Sequence, residues 1–415
     1  MSNLRGKRIL MGVTGGIACY KAADLASKLT QKNAQVDVIL TPAAERFITA
    51  ATFSAVTGRP AWTDAAMYTP NPAGQFPHVA LAQAAELIAI VPATANTLAK
   101  LAHGLADNLL TTAVLASRAP LLLAPAMETH MWEHPATQAN VQTLRARGAH
   151  IVGPEVGHLA SGATGIGRMA EPSTIMEAMR YVLGLQGPLQ GHKVLITAGG
   201  TREPLDPVRF ITNPSTGKMG VALAAAARDA GATTILVHAP LAVPIPYGVQ
   251  SIPVTTAQEM YDAVMQEVQD ATVFIAAAAV ADFRPVQQAS HKLKKDEVGP
   301  TWTLTLERTP DILGTVGHLR QKHGRPYVLV GFAAETQDLI PAAREKLIRK
   351  GLDLIVANDI TAPQAGFAVD TNQVTIVDRE GNVTPWPPMS KEAVAEQLMA
   401  QIIDRLRRMG ILGSE

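Results

Sequence analysis

The chain has 415 residues, 47% of them hydrophobic and 17% charged, with a formal net charge of +1. That length exceeds one ordinary core and predicts two domains of about 200 residues, while the near-neutral charge gives no electrostatic reason to expect nucleic acid or an acidic membrane as partner. A single cysteine, Cys19, excludes an internal disulfide and fits a reducing compartment; the longest apolar run, near Ala271–Ala281, is too short for a bilayer and Met1–Lys7 is unlike a secretory leader, so the expectation is a cytoplasmic globular protein.

Strand-like runs alternate with helical patterns, which predicts an α/β protein built of two doubly wound, Rossmann-like domains with mainly parallel sheets. Arg8–Val13 reads as a strand, Ile17–Gln31 as a helix and Gln35–Thr41 as the next strand. Further strands are expected at Glu86–Val91, Pro120–Ala124 and His150–Gly153, and a closing helix at Pro172–Leu183. The stretch Leu185–Gly191, rich in Gly, Pro and Gln, is the expected linker between domains 1–185 and 190–415. The pattern then restarts with strand Lys193–Thr197, helix Gly217–Asp229, strand Thr233–Val237, helix Ala257–Gln269 and strand Thr272–Ala278. Strands at Arg325–Val330 and Leu354–Val356 and helices near Ala342–Lys350 and Lys391–Met409 complete it, the last with Val394, Leu398, Ile402 and Leu406 on one side.

In the first domain Thr14-Gly15-Gly16-Ile17 closes a strand and opens a helix, aiming backbone N–H groups at whatever sits there. A dinucleotide site wants an acid at the end of the next strand; this chain has Thr41 there, and a hydroxyl suits a terminal phosphate where an acid would repel it. Thr94, Asn96 and Thr97 could merely cap a helix, but capping and phosphate binding share one geometry, and three such loops on one sheet edge favour a phosphorylated ligand. His130 and His134, four apart, would share a helical face; no acid in the metalloprotease arrangement and no cysteine supports a metal there.

Thr14–Ala18, Pro92–Thr97, Pro125-Ala126-Met127 and Gly162 with Gly165–Met169 resemble the FMN-binding phosphopantothenoylcysteine decarboxylases over essentially the whole first domain. The resemblance implies FMN held by Thr14, Gly15, Gly16, Ile17, Thr41, Thr94, Asn96, Thr97 and Met127. It also implies a catalytic His78, a substrate contact at Arg168 and a mobile clamp over Ser161–Met169. Two positions depart from the family pattern: Glu128 replaces an asparagine that holds the substrate carboxylate, and Ser161 replaces the cysteine that donates a proton. These two are taken as the catalytic positions, with Glu128 the expected proton source, because a serine hydroxyl is a far weaker acid than a thiol. They are also what would support the competing reading, a flavin-binding regulatory module with decayed catalysis. Paired NAD-dependent dehydrogenase domains are disfavoured by the missing ribose-binding acid.

The second domain inserts the polar segment Thr201–Arg209 after its first strand, then Asn213-Pro214-Ser215-Thr216-Gly217-Lys218. It is not a P-loop, since Met219 follows the lysine. These runs, with Ala279–Asp282, Lys292-Leu293-Lys294-Lys295, Pro310-Asp311-Ile312 and Gly331–Thr336, resemble bacterial phosphopantothenate–cysteine ligase over nearly the whole domain. The resemblance implies CTP bound by Ala276, Ala277, Ala278, Asp282, Lys292, Pro310, Asp311, Ile312, Leu313, Phe332, Lys346 and Lys350. Catalytic roles fall on Asn213 and Lys292, Arg209 and Asn213 lie beside substrate, and Asp282 is the candidate Mg²⁺ ligand. Thr309 stands where the family often has asparagine. The partners implied are 4′-phosphopantothenate, cysteine and CTP, in a homo-oligomer of twelve chains built from trimers of the first domain and dimers of the second.

Overall fold

A computed structural model describes residues 3–294, 301–335, 339–359 and 370–413; Lys295 and Thr336 of the quoted motifs lie outside them. The chain divides into two units, 2–184 and 185–415. No helix among the described residues is long and apolar enough to cross a membrane.

The first unit is a six-stranded parallel sheet. Its strands are β1 (Arg8–Val13), β2 (Gln35–Leu40), β3 (Ala61–Trp62), β4 (Leu87–Ala93), β5 (Leu121–Pro125) and β6 (His150–Ile151), in the order β3-β2-β1-β4-β5-β6. Every residue of β4 is buried, which is why this strand reads as a continuous apolar run rather than an alternating one. Helix α1 (Cys19–Gln31) crosses from β1 to β2 and buries Cys19, Ala22, Leu25, Ala26 and Leu29, an i, i+3, i+7 stripe. Around the sheet lie α2 (Pro77–Ala84), α3 (Ala95–His103), α4 (Leu109–Leu115), α5 (Thr129–Glu133) and α6 (Pro172–Gly184). Between β6 and α6 a hairpin, β7 (Glu155–His158) with β8 (Thr164–Arg168), stands apart from the main sheet. Strand order reverses between β1 and β4, and an open α/β sheet places its crevice at the carboxyl ends of that pair.

The second unit repeats the plan at larger scale. Strands β9 (Lys193–Ala198), β12 (Thr233–His238), β13 (Gln250–Pro253), β14 (Val273–Ala276), β17 (Val328–Glu335) and β18 (Leu354–Asp359) run parallel, and β19 (Val374–Asp378) with β20 (Val383–Pro385) extend the edge antiparallel. The order is β13-β12-β9-β14-β17-β18-β19-β20, so the reversal falls between β9 and β14. Two short antiparallel pairs, β10 (Arg202–Pro204) with β11 (Phe210–Thr212) and β15 (Phe283–Pro285) with β16 (Leu306–Arg308), arise where no strand is expected, the first of them in and just after the polar insertion that follows β9. Helices α7 (Lys218–Asp229), α8 (Ala257–Glu267), α9 (Ile312–His323), α10 (Leu339–Lys350) and α11 (Lys391–Arg408) cover the faces. Val394, Leu398, Ile402 and Leu406 of α11 are buried together, the stripe expected from their spacing.

The expected linker Leu185–Gly191 is not a free tether. Leu189 is fully buried in the core of the second unit, and its N–H donates to the Ala230 carbonyl at 2.8 Å. Fully burying a leucine contributes about 1.5–3 kcal/mol, enough to order a short segment otherwise composed of turn residues.

Candidate functional site

In the first unit the carboxyl ends of β1, β2 and β4 open into a cleft of about 990 Å³, within the range that small-molecule sites occupy. Its floor is the set of three loops singled out in the sequence: Gly15, Gly16 and Ile17 after β1, Thr41 to Ala43 after β2, and Thr94 to Thr97 after β4. Two of these loops touch. A Cβ added to Gly15 would sit 2.5 Å from the Ala43 Cβ, so only glycine lets the β1 loop run beneath the β2 loop. The residue before α1, Ala18, offers no side-chain cap; in the first turn the Cys19 N–H donates to the Gly16 carbonyl at 3.1 Å and the Lys21 N–H to the Ala18 carbonyl at 3.0 Å. Beside Gly16 a Cβ would meet only the Thr94 methyl, at 3.9 Å, so this turn is open on the side that faces the cleft. An uncapped helix start under an open glycine turn fits an anionic phosphate.

Thr14 behaves differently from the other loop residues. It is buried, its hydroxyl donates to the Pro92 carbonyl at 2.7 Å and accepts from the Thr94 N–H at 3.1 Å, and it does not line the cleft. Its hydroxyl ties the β1 loop to the β4 loop. Thr94 caps α3, accepting from the Thr97 N–H at 3.4 Å, with the two hydroxyls 3.1 Å apart. Thr41 also turns inward, accepting from the Ala44 N–H at 3.3 Å, yet still borders the cleft.

The roof comes from the β7–β8 hairpin and the segment after β5. The Met127 N–H donates to the Gly167 carbonyl at 3.0 Å, and a Cβ on Gly167, whose φ is +146°, would meet the Met127 carbonyl oxygen at 2.1 Å. The hairpin is thus seated on Met127 and Glu128 by a contact that only glycine permits. Ser161 is exposed at the hairpin tip and lines the cleft, as do Met127, Glu128 and Arg168. Glu128 caps α5: its Oε2 accepts from the His130 N–H at 2.7 Å. Arg168 pairs with Glu171, which also takes Lys21 at 3.0 Å.

His78 does not line this cleft; its ring stacks on Phe76 with centroids 6.1 Å apart. Its Nδ1 is buried and finds no hydrogen-bond partner among the described residues. His130 and His134 do not share a helical face, because α5 ends at Glu133 and His134 caps the following helix. Cys19 is buried with its thiol donating to the Thr14 carbonyl at 3.3 Å, and burial pushes its pKa up, away from thiolate chemistry. The cleft also contains residues that no motif marked, among them Asp64, Lys100, Asp107 and Asn108. Lys100 holds the Asp107 carboxylate at 2.7 Å and lowers its pKa; the seven-residue spacing of that pair, through a helix end, leaves no periodic signature.

In the second unit the loop after β9 is sewn to the loop after β14. The Ala278 N–H donates to the Thr197 hydroxyl at 3.3 Å, the Ala281 N–H to the Thr201 hydroxyl at 2.9 Å, and the Asn213 side-chain amide to the Val280 carbonyl at 3.0 Å. The candidate nucleotide residues then follow one another around the strand ends. Ala276 pairs in register with Gly331, one residue before Phe332. Lys346 of α10 donates to the Phe332 carbonyl at 2.9 Å, and Lys350, one turn on, pairs with Asp311. Asp311 also caps α9, accepting from the Gly314 N–H at 2.9 Å. Partial burial disfavours its charge, but Lys350 and the Gly314 N–H outweigh that and lower its pKa. Thr309 closes the group, donating through its N–H to the Asp282 carbonyl at 3.0 Å and through its hydroxyl to the Ala281 carbonyl at 2.6 Å. The fold therefore gathers Ala276–Ala278, Asp282, Pro310–Leu313, Phe332, Lys346 and Lys350 at one sheet edge, although they span more than seventy residues of sequence. Asp282 is exposed, and no cluster of three metal-ligating side chains exists among the described residues. Lys292 is exposed on a segment that Arg209 and Asp206 hold; Arg209 spends its guanidinium on Asp206, the Leu293 carbonyl and the ring of Trp302.

Two doubly wound units, the first with a phosphate-suited cleft and the second with lysines and acids gathered at its strand ends, define a two-domain nucleotide-fold protein. A flavoprotein family model matches residues 1–184, and the DNA/pantothenate metabolism flavoprotein C-terminal domain matches residues 189–406. The chain is 44% identical over 402 residues to the coenzyme A biosynthesis bifunctional protein CoaBC of Vibrio vulnificus (strain YJ016), covering 97% of this chain and 98% of that one. It is 44% identical over 410 residues to the protein of the same name from Bacillus subtilis (strain 168), covering 98% and 99%. Among solved structures, the FMN binding protein AtHal3 aligns at 33% identity over 42% of this chain and 96% of that one, with a TM-score of 0.39. The chain belongs to the family of bifunctional coenzyme A biosynthesis proteins, a flavoprotein decarboxylase followed by a phosphopantothenate–cysteine ligase.

Proposed function

We propose that the first unit holds FMN in its cleft and decarboxylates 4′-phosphopantothenoylcysteine, and that the second unit makes that substrate from 4′-phosphopantothenate, cysteine and CTP. The observation that carries the flavin reading is the convergence of the Gly15-Gly16, Thr41 and Thr94–Thr97 loops on one cleft beneath an uncapped helix start. The flavin phosphate would be held by the Gly15-Gly16 turn and by the Asn96 N–H at the start of α3, where the helix dipole favours negative charge. Bound FMN supplies a reversible two-electron acceptor that lets the carbon next to sulfur become an electron sink for the departing carbon dioxide.

The chain's own residues do the rest. Arg168 draws the substrate's anionic end under the hairpin, and closure of Ser161–Met169 excludes water. Glu128 uses one carboxyl oxygen to cap α5 and offers the other to substrate, where its proton returns to carbon as the product forms. Ser161 lines the site without transferring a proton. His78, outside its own chain's cleft, serves a cleft formed with a neighbouring copy. Exposed apolar side chains such as Ile17, Tyr20, Tyr68 and Leu115 in this unit, and Val208, Phe210, Phe283 and Val286 in the other, suit the proposed twelve-chain assembly of trimers and dimers.

In the second unit the substrate carboxylate attacks the α-phosphorus of CTP and the bond to pyrophosphate breaks. Cysteine's amine then attacks the acyl carbon and CMP leaves. Lys292, Lys346 and Lys350 stabilise charge growing on the departing phosphates. Asn213, its amide N–H₂ directed to the Val280 carbonyl, keeps its carbonyl oxygen for the acyl-cytidylate stage. The exposed Asp282 carboxylate would hold Mg²⁺, which would neutralise charge on the nucleotide phosphates and suits a site with few protein ligands. The reactions belong in the cytoplasm, where a lone cysteine stays reduced.

Purified protein given 4′-phosphopantothenate, cysteine, CTP and Mg²⁺ should release pyrophosphate, amide product and carbon dioxide in turn, and should be yellow with FMN. Amide without carbon dioxide would favour the regulatory reading of the first unit.

A further inference from the structure

Asp206 sits in a surface turn, yet it is almost wholly buried, with 2% exposure. Burying a carboxylate is costly unless it is paired, and here every bond it makes is to one of two places. The first is its own turn: Oδ1 accepts from the N–H groups of Val208 and Arg209, both at 2.8 Å, and Oδ2 takes the Arg209 guanidinium at 2.6 and 2.9 Å. The second is distant in sequence. Oδ2 also accepts from the Leu293 N–H at 3.4 Å, while Arg209 Nη2 donates to the Leu293 carbonyl at 2.8 Å. Both polar backbone groups of Leu293 are therefore gripped by one ion pair.

Around that grip the same two segments join again. The Ala289 N–H donates to the Leu205 carbonyl at 3.0 Å, and the Arg209 guanidinium lies 4.8 Å from the centroid of the Trp302 ring. Beyond Val286, whose N–H still donates to the Thr305 carbonyl at 3.1 Å, residues 287–294 form no helix or strand that would fix their path. Lys292 precedes the gripped residue. An aspartate lowered in pKa supports the arrangement: burial opposes its charge, but Arg209 and the N–H groups of Val208, Arg209 and Leu293 outweigh that.

We infer that Asp206 is a positioning residue of the ligase: acting with Arg209 on the backbone of Leu293, it presents Lys292 to the phosphates of the nucleotide. The inference deepens the proposed role of Lys292 and rests on it. Arginine suits this task because its planar fork spans carboxylate and carbonyl at once, which a lysine cannot do.

The test is a double-mutant cycle on the full-length protein, following pyrophosphate release with CTP, 4′-phosphopantothenate and cysteine. Asp206→Asn should lower kcat by about 10²-fold, the scale of a misplaced catalytic group, with a smaller change in KM for CTP and with carbon dioxide release from supplied 4′-phosphopantothenoylcysteine unchanged. In the Lys292→Gln background the same substitution should cost nothing further. Hydrogen exchange at residues 289–294 should quicken in Asp206→Asn. If that variant does not fold, Arg209→Lys takes its place in the cycle with the same expectations. Losses that multiply in the double variant would overturn the inference alone. Near-normal turnover of Lys292→Gln would overturn the role of the lysine, and the positioning role with it.

Discussion

The two units start alike and end with different chemistry. Each begins with a strand that ends in a glycine pair, Gly15-Gly16 or Gly199-Gly200, at the reversal point of a doubly wound sheet. In the first unit the chain enters α1 within three residues, so the helix start itself faces the cleft and a bound phosphate can lie on it. In the second, residues 201–217 intervene before α7, and they form a hairpin and a buried ion pair that reaches a segment more than eighty residues away. The shared topology fixes where a ligand goes. What the chain inserts after the first strand decides whether the helix start itself faces the cleft or a hairpin and a buried ion pair come before it.

The largest effect is expected of Gly15→Val. The added side chain would start 2.5 Å from Ala43 and force the β1 and β2 loops apart. The variant should purify colourless and release no carbon dioxide, while amide formation from CTP continues. A yellow, decarboxylating Gly15→Val protein would show that the contact does not shape the flavin bed.

The matching change in the second unit is Lys350→Gln. It removes the partner of Asp311 and a charge beside the strand ends, and should slow pyrophosphate release by about 10²-fold, the effect of losing one preorganised charge donor. Flavin absorbance should be unaltered. A full ligase rate would mark Lys350 as a structural partner of Asp311 alone.

Within the first unit, Glu128→Gln should retain flavin, since a glutamine oxygen can still accept the His130 N–H. It should slow the final proton return by about 10²-fold, seen in single turnover as reduced flavin that persists. Ser161→Ala should turn over at the parent rate. Reversed outcomes for the pair would exchange their roles.

The smallest effect is on pH and stability. The folded carboxyl of Asp206 lies below its ordinary value, so its contribution is fully present above the unfolded aspartate pKa of about 3.9 and is lost as pH falls through the depressed folded value. Denaturation midpoints of parent and Asp206→Asn should differ by a constant amount from pH 7 to pH 5, and converge below about pH 4. A gap that widens in acid would contradict the sign of the shift.

Much of this was legible in the residues themselves. The alternation of apolar runs fixed an α/β class, and β4, seven buried residues in a row, could hardly be read otherwise. The stripe of α11 at Val394, Leu398, Ile402 and Leu406 and the three loops that floor the cleft follow from local spacing and turn chemistry. Periodicity reports the neighbours three or four residues away, and that is why it works within one element.

Tertiary structure decided what depends on partners far along the chain. Leu189 joined the core of the second unit because a turn-rich segment lay across Ala230. The Thr14 hydroxyl was drawn to the Pro92 carbonyl, and His78 was left outside the cleft of its own chain. His134 opened a new helix instead of continuing that of His130. Lys346 and Lys350 found Phe332 and Asp311, and Arg209 found Leu293, across separations that no local pattern encodes. Hydrogen bonds and ion pairs are satisfied by whatever the sheet brings within about 3 Å, and only the folded chain determines that choice.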